Sequence, residues 1–246
     1  MRAPPHRRAM WLTVGALVAM GCTPIAEQTP PTTDALQERE PPVVERSGDA
    51  SLRETEDEGL AALRRRAEDA AVRLRVTGEH PLAFGSGSGF LIDERTVLTN
   101  RHVVEDARYG EVSTWRGDRV GIDGRVQVSD AHDLALIHAD RDLPGKAFEL
   151  ATTDLAAGDR AIVVGYPGGG RVEAAEGRVR AVVEGARYGE GGDVLVISVD
   201  GVEPGSSGGP VLHPDGTVAG VIFALRRADE GDALAIPSSS VRELLR

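Results

Sequence analysis

From Ala70 to the C-terminus, apolar and polar positions alternate in short runs. Val72, Leu74 and Val76 alternate with Arg73, Arg75 and Thr77, the period-two pattern of a strand with one buried face. Further strands are predicted over Gly89–Ile92, Val97–Thr99, Arg119–Val128, Leu134–Ile137, Arg160–Val164, Gly177–Val183, Asp193–Val199, Val218–Phe223 and Ala233–Ile236. Gly, Pro and Asp separate these runs. Many short strands divided by turn residues predict an all-β domain, either a sandwich or a barrel. Ser238–Arg246 reads as a short closing helix, with Val241, Leu244 and Leu245 on its apolar side.

Upstream the pattern changes. Leu52, Leu60, Leu63 and Ala67 recur at near-helical spacing, so Ser51–Asp69 reads as a helix that either packs on the domain or extends a linker. Thr23–Asp49 is rich in Pro, Thr and Glu and is expected to be an extended tether. Arg2, His6, Arg7 and Arg8 precede an apolar run, Met10–Met20, that is shorter than the ~20 residues a membrane-spanning helix needs. Gly21-Cys22 follows at once. This succession resembles a bacterial lipoprotein signal, which implies lipidation at Cys22, export, and anchoring in the cell envelope. Thr23 after the cysteine implies the outer membrane, facing periplasm or surface. The chain thus divides into residues 1–21 (signal), 22–50 (disordered tether), 51–69 (helical segment) and 70–246 (the β domain).

Composition sharpens this picture in three ways. With 30 Gly and 4% aromatic residues, the core must be built from Val, Leu, Ile and Ala, with many tight turns. The net charge of -11 gives no electrostatic case for nucleic acid. Cys22 is the single cysteine, so the chain cannot close a disulfide within itself. No internal repeat is evident.

Three segments carry candidate chemistry. The first joins Gly85-Ser86-Gly87-Ser88-Gly89-Phe90-Leu91-Ile92 to Val97-Leu98-Thr99-Asn100-Arg101-His102-Val103-Val104. The second is His132-Asp133-Leu134-Ala135-Leu136-Ile137. The third is Pro204-Gly205-Ser206-Ser207-Gly208-Gly209-Pro210-Val211. A serine hydroxyl is a weak nucleophile near neutral pH and needs a base to take its proton. Imidazole can accept that proton and return it to a leaving amine.

In these motifs, and in Gly165-Tyr166-Pro167-Gly168-Gly169-Gly170 and Gly216–Phe223, the chain resembles the trypsin-like serine peptidases. It is similar to the HtrA-type branch and to the periplasmic acid-resistance-type peptidases of actinobacteria, over Ala70–Arg246. The resemblance implies two six-stranded antiparallel Greek-key β-barrels. It implies a serine endopeptidase with His102 as base, Asp133 as its orienting acid and Ser207 as nucleophile. It implies an oxyanion hole from the N–H groups of Gly205 and Ser207, and a substrate pocket near Asp200, Gly201, Phe223 and Ala224. Gly201 at the pocket base implies a small or medium apolar P1 residue; a one-residue shift would put Asp200 there and favour Arg or Lys. No metal or cofactor is implied, and the expected partners are protein or peptide substrates. HtrA-type proteins usually carry PDZ domains, and none follows here, so regulation through such a domain is not expected.

Other residues in these segments compete for the same roles. His132 neighbours Asp133 on one strand, so the two side chains should face apart and not pair. Ser206 is a second serine beside the nucleophile, and it stands where digestive members carry Asp. Activation through a new N-terminal amine is therefore not expected. Arg101 either shapes the rim or pairs with an acid. Gly85–Gly89 lacks the lysine and helix of a phosphate loop. An esterase would place its serine in Gly-x-Ser-x-Gly. The alternative from a different class is a catalytically silent envelope lipoprotein that binds peptides or protein partners.

Overall fold

The structure, a computed structural model, describes residues 59, 61–78, 84–226 and 231–246. Cys22, the signal and the tether lie outside the described residues, as do residues 51–58 and 60 of the 51–69 segment. A helix, α1, runs over residues 61–70. Twelve strands follow. The first six are β1 (Ala71–Thr77), β2 (Phe84–Leu91), β3 (Thr96–Thr99), β4 (Tyr109–Thr114), β5 (Arg119–Val128) and β6 (Ala135–Ala139). The next six are β7 (Arg160–Gly165), β8 (Glu173–Glu184), β9 (Asp193–Val199), β10 (Pro210–Leu212), β11 (Val218–Leu225) and β12 (Asp232–Pro237). Two short α-helices, α2 (Arg101–Val104) and α3 (Ser238–Leu244), and two 3-10 turns, Pro167–Gly169 and Gly185–Tyr188, complete the described elements.

The strands close into two barrels, ordered β1-β2-β3-β6-β5-β4 and β10-β11-β12-β9-β8-β7. Every pairing is antiparallel. Read from its sixth partner backwards, the second barrel repeats the strand order of the first. This topological repeat has no counterpart in the amino-acid pattern. Closure leaves no open sheet edge in either barrel.

Alternation explains the interiors. On β1, Val72 and Leu74 are fully buried while Arg75 is exposed. They fill the first barrel with Val97, Val112 and Ile137, and Val163, Leu195, Ile197 and Ile222 fill the second. A third apolar cluster spans the two barrels and includes Phe90, Leu98, Leu134, Tyr166, Val221 and Ile236. Phe90 meets Phe148 edge-on, with ring centroids 5.9 Å apart. Tyr166 crosses from the second barrel and donates its hydroxyl to the Ala71 carbonyl at 3.1 Å. Burial pushes its phenol up to about 12, so it stays a neutral donor.

The helix α1 packs and does not merely extend the tether. Leu63, Ala67 and Ala70 are buried in the cluster between the barrels. Asp69 accepts the Trp115 indole N–H at 2.7 Å. The closing helix α3 buries Val241 and leaves Leu245 exposed.

Two strands escape the sequence pattern. On β4 the polar residues Glu111, Ser113 and Thr114 flank Val112, so it shows no clear apolar face. Its place is set by pairing with β1 on one side and β5 on the other. The other, β10, is three residues long and sits inside the serine motif.

Candidate active site

The first barrel supplies two of the predicted residues. Strand β3 is wholly buried and ends at Asn100, whose extended backbone (φ -86, ψ 151) turns the chain into the single-turn helix α2. His102 lies on that turn with its side chain 44% exposed. Asp133 closes the turn that leads from β5 to β6. That turn is shaped by Ser129, whose hydroxyl accepts the N–H groups of Ala131 at 3.3 Å and His132 at 3.1 Å.

The Asp133 carboxylate holds His102 by two atoms. Its Oδ1 accepts the His102 backbone N–H at 2.9 Å, and its Oδ2 lies 2.5 Å from the ring Nδ1. A carboxylate can only accept, so Nδ1 carries the hydrogen and Nε2 is left as the free basic nitrogen. The hydrogen bond from Asp133 raises the imidazole above its ordinary value, against an opposing effect of burial; the charges of Asp133 and Glu105 add to the rise. Asn100 Nδ2 donates to the Asp133 carbonyl at 2.7 Å and fixes that peptide.

Ser207 comes from the second barrel but is held by the first. Its carbonyl accepts the Ser88 N–H of β2 at 2.7 Å. The two sides meet at Gly87. A Cβ there would lie 2.7 Å from Val103 Cγ1, one residue past His102, and 3.3 Å from the Ser207 carbonyl oxygen. Any larger residue would push the Ser207 loop away from Val103 of α2.

The loop also presents two unspent donors. Among the described residues, neither Gly205 N–H nor Ser207 N–H is engaged by a carbonyl, whereas Ser206 N–H donates to Glu203 at 3.0 Å and Gly208 N–H to Ile222 at 2.7 Å. The Pro204 carbonyl accepts from Gly168 N–H at 2.8 Å, which turns the Gly205 N–H of the same trans peptide the opposite way. Gly205 has φ +104, and a Cβ there would meet the Tyr166 carbonyl at 2.7 Å, so only glycine suits it. Backbone donors left unengaged are the kind of group that can stabilise a negative oxygen.

The remaining predicted residues fall as follows. Ser206 is 3% exposed, and its hydroxyl faces the Glu203 N–H at 3.4 Å, so it is not presented as a nucleophile. Arg101 pairs with Glu105 at 3.7 Å and donates to the Ser129 carbonyl at 3.2 Å, which settles it as the partner of an acid. Asp200 and Gly201 line a cavity of about 400 Å³ with Val199, Val202, Leu225 and Asp232. They also border a smaller one, about 50 Å³, that reaches Ser206. Phe223 is buried in the apolar cluster and Ala224 packs beside it; neither lines those cavities. A larger groove, about 570 Å³, opens between β1, β2 and β4 and contains none of the predicted site residues. Among the described residues, no three His, Cys, Asp or Glu side chains are grouped to hold a metal.

Sequence reasoning overlooked Ser88. It is fully buried, accepts the Tyr166 N–H at 2.8 Å and donates to the Gly205 carbonyl at 2.7 Å. Thr99 donates to its carbonyl at 2.7 Å. The signal available was a hydroxyl between two glycines on a strand, a place where backbones come close. His132 and Asp133 lie on the turn before β6 and not on a strand, so the alternation argument does not apply to them; His132 meets Glu190, with Nδ1 3.2 Å from Oε2.

Comparison with known proteins gives a consistent picture. A model of the trypsin-like peptidase domain matches residues 87–221. The serine protease Rv3671c of Mycobacterium tuberculosis is 32% identical over 176 residues, which cover 68% of this chain and 43% of that protein. The serine protease Do-like HtrA of Bacillus subtilis is 32% identical over 175 residues, 65% of this chain and 38% of its own. The chain therefore spans less than half the length of these curated relatives. The crystal structure of the Rv3671c protease in its active form superposes with a TM-score of 0.65 at 27% identity, covering 76% of this chain and 82% of that one. The HtrA-type protease AlgW shares the fold at a TM-score of 0.66 and 21% identity, over 77% of this chain and 62% of its own.

Proposed function

This chain belongs to the trypsin-like peptidase family, and on that premise we propose that it is a serine endopeptidase acting through His102, Asp133 and Ser207. The observation that carries the reading is the grip of Asp133 on His102, by ring and backbone at once, which leaves Nε2 as the basic atom.

The chemistry runs as follows. Ser207 Oγ attacks the scissile carbonyl carbon while its proton passes to His102 Nε2. The carbonyl electron pair moves onto oxygen, where the N–H groups of Gly205 and Ser207 receive it. Each such donor contributes roughly 10²–10³-fold in rate. The tetrahedral intermediate collapses, the C–N bond breaks, and the leaving amine takes the proton from Nε2. Water then attacks the acyl-Ser207 ester, again losing its proton to Nε2; the C–Oγ bond breaks, Ser207 Oγ takes that proton back, and the acid product leaves. Asp133 keeps the ring in the correct tautomer and stabilises the imidazolium in each half.

A fluorophosphonate probe tests this directly, because it labels a serine that has a working base. The full chain is expected to be labelled at Ser207. Absence of labelling, with the fold intact by circular dichroism, would favour the catalytically silent binding protein. The rate should also fall as pH drops through the raised pKa of His102, since the protonated ring cannot accept a proton. The acid limb should therefore lie above the ordinary imidazole value. A limb at or below that value would contradict the reading.

The same proposal extends to the cell envelope. A basic stretch, an apolar run and Gly21-Cys22 in succession support a lipid anchor on Cys22, with envelope proteins as substrates. Several acyl chains bind firmly, at roughly 0.8 kcal/mol per buried CH₂. Cys22→Ser should move the protein from the membrane fraction to the soluble fraction. Identical fractionation of the two forms would rule the anchor out.

A further inference from the structure

Glu190 sits in the turn between β8 and β9, beneath the Ser129–Asp133 turn of the other barrel. Its side chain is 2% exposed and that of His132 is 6% exposed. A buried carboxyl is costly unless its oxygens are occupied. Here one oxygen faces His132 Nδ1 at 3.2 Å, and both lie 3.3 Å from the backbone nitrogen of Asp133, which donates between them. The two turns are also joined through backbone, with Gly191 N–H donating to the Ala131 carbonyl at 2.9 Å. The catalytic scheme above uses neither Glu190 nor His132.

We propose that Glu190 is a positioning residue for Asp133: its carboxyl group, held by His132, fixes the peptide from which the Asp133 side chain reaches His102. This rests on the reading of His102 and Asp133 as base and orienting acid. The argument is geometric. Asp133 has two tasks at once, Oδ1 on the His102 backbone and Oδ2 on its ring. An aspartate has two rotatable side-chain bonds, so both contacts persist only if its main chain is fixed. Asn100 fixes the carbonyl side from within the first barrel. Glu190 fixes the N–H side, and it is contributed by the second barrel. The orienting acid therefore takes its position from both barrels, and their docking is felt at the imidazole.

The charges around the pair are few. Glu190 faces His132 and the Asp133 carboxylate; burial pushes its carboxyl up, while the Asp133 amide and His132 pull it down. The far nitrogen of His132 faces Glu243 of α3 at 3.9 Å. His102 itself faces Asp133 and, by charge, Glu105.

Two variants separate positioning from mere packing. Glu190→Met keeps the volume and removes the acceptor. Glu190→Gln keeps an oxygen that can accept the Asp133 N–H. Each is measured in the full chain by NMR titration of His102 and by the pH dependence of kcat/KM. In Glu190→Met the Asp133 carboxylate is released. The His102 titration and the acid limb should both move to lower pH, with kcat down by up to about 100-fold and KM nearly unchanged. Glu190→Gln should restore most of the shift and of kcat. An unmoved His102 titration in Glu190→Met overturns the proposal, as does equal damage from both variants. Failure of the Met variant to fold while the Gln variant folds would also overturn it, because Glu190 would then serve barrel docking alone. The titration needs no turnover. If the wild type neither reacts with phosphonate nor hydrolyses peptide, yet the Met variant moves His102, the peptidase reading fails and the positioning role stands.

Discussion

Ser207→Ala is expected to lower kcat by about 10⁶-fold, and His102→Ala to do nearly the same. Combining them should cost little more, since each single change already removes the step that the two residues perform together. The fold should survive the serine change. Ser207 is held through its carbonyl by the Ser88 N–H, a contact that alanine retains. His102 is part-exposed on a single-turn helix, so its loss also removes little burial. The measurement is kcat and KM for the two single variants and the double variant on one cleaved peptide, with thermal melts alongside. Near wild-type turnover in Ser207→Ala would end the assignment of the nucleophile. Losses that multiplied in the double variant would mean that the residues do not share a step.

Asp133→Asn is expected to cost about 10⁴-fold in kcat near neutral pH, and the structure says which atom is responsible. The His102 backbone N–H needs an acceptor at the Oδ1 position, 2.9 Å away. Asparagine must therefore turn its oxygen there, which leaves its NH₂ facing Nδ1. An NH₂ can only donate, so Nδ1 must become the acceptor and the hydrogen moves to Nε2. That is the atom required to take the serine proton. The backbone supports from Asn100 and Glu190 are untouched, so the variant should fold as wild type. A loss smaller than tenfold would mean that the second contact does not choose the amide's orientation. An NMR spectrum of the His102 ring nitrogens reads the tautomer independently of rate.

Strands were legible wherever their two faces differ. Val72, Leu74 and Val76 alternate with charged or polar neighbours, and the barrel interior receives the apolar set. Where neither alternation nor a continuous apolar run marks the segment, as around Val112 on β4, pairing partners decide and the local pattern is silent. The helical spacing of Leu63 and Ala67 predicted a helix but not its seat between the barrels, since the surface that receives it comes from distant segments. His102, Asp133 and Ser207 stood out because the chemistry demands those residue types in glycine-rich or strand-end settings. Their supports did not. Glu190 meets His132 across 58 positions of chain, and Glu190 itself carries no motif. Ser88 reads as one more small residue in a glycine run until the Tyr166 and Gly205 partners are seen.

Ser88 has a consequence for how the molecule comes into being. One buried residue of the early-synthesised barrel receives the Tyr166 amide and ties down both Gly205 and Ser207 of the later one. The loop bearing the reactive serine thus has no complete set of anchors until the last strands have been made and both halves have closed on each other. The anchored geometry of that loop therefore requires both barrels to be in place. A nascent or half-threaded chain, whose own extended segments would be the nearest peptides at hand, holds a serine without its scaffold.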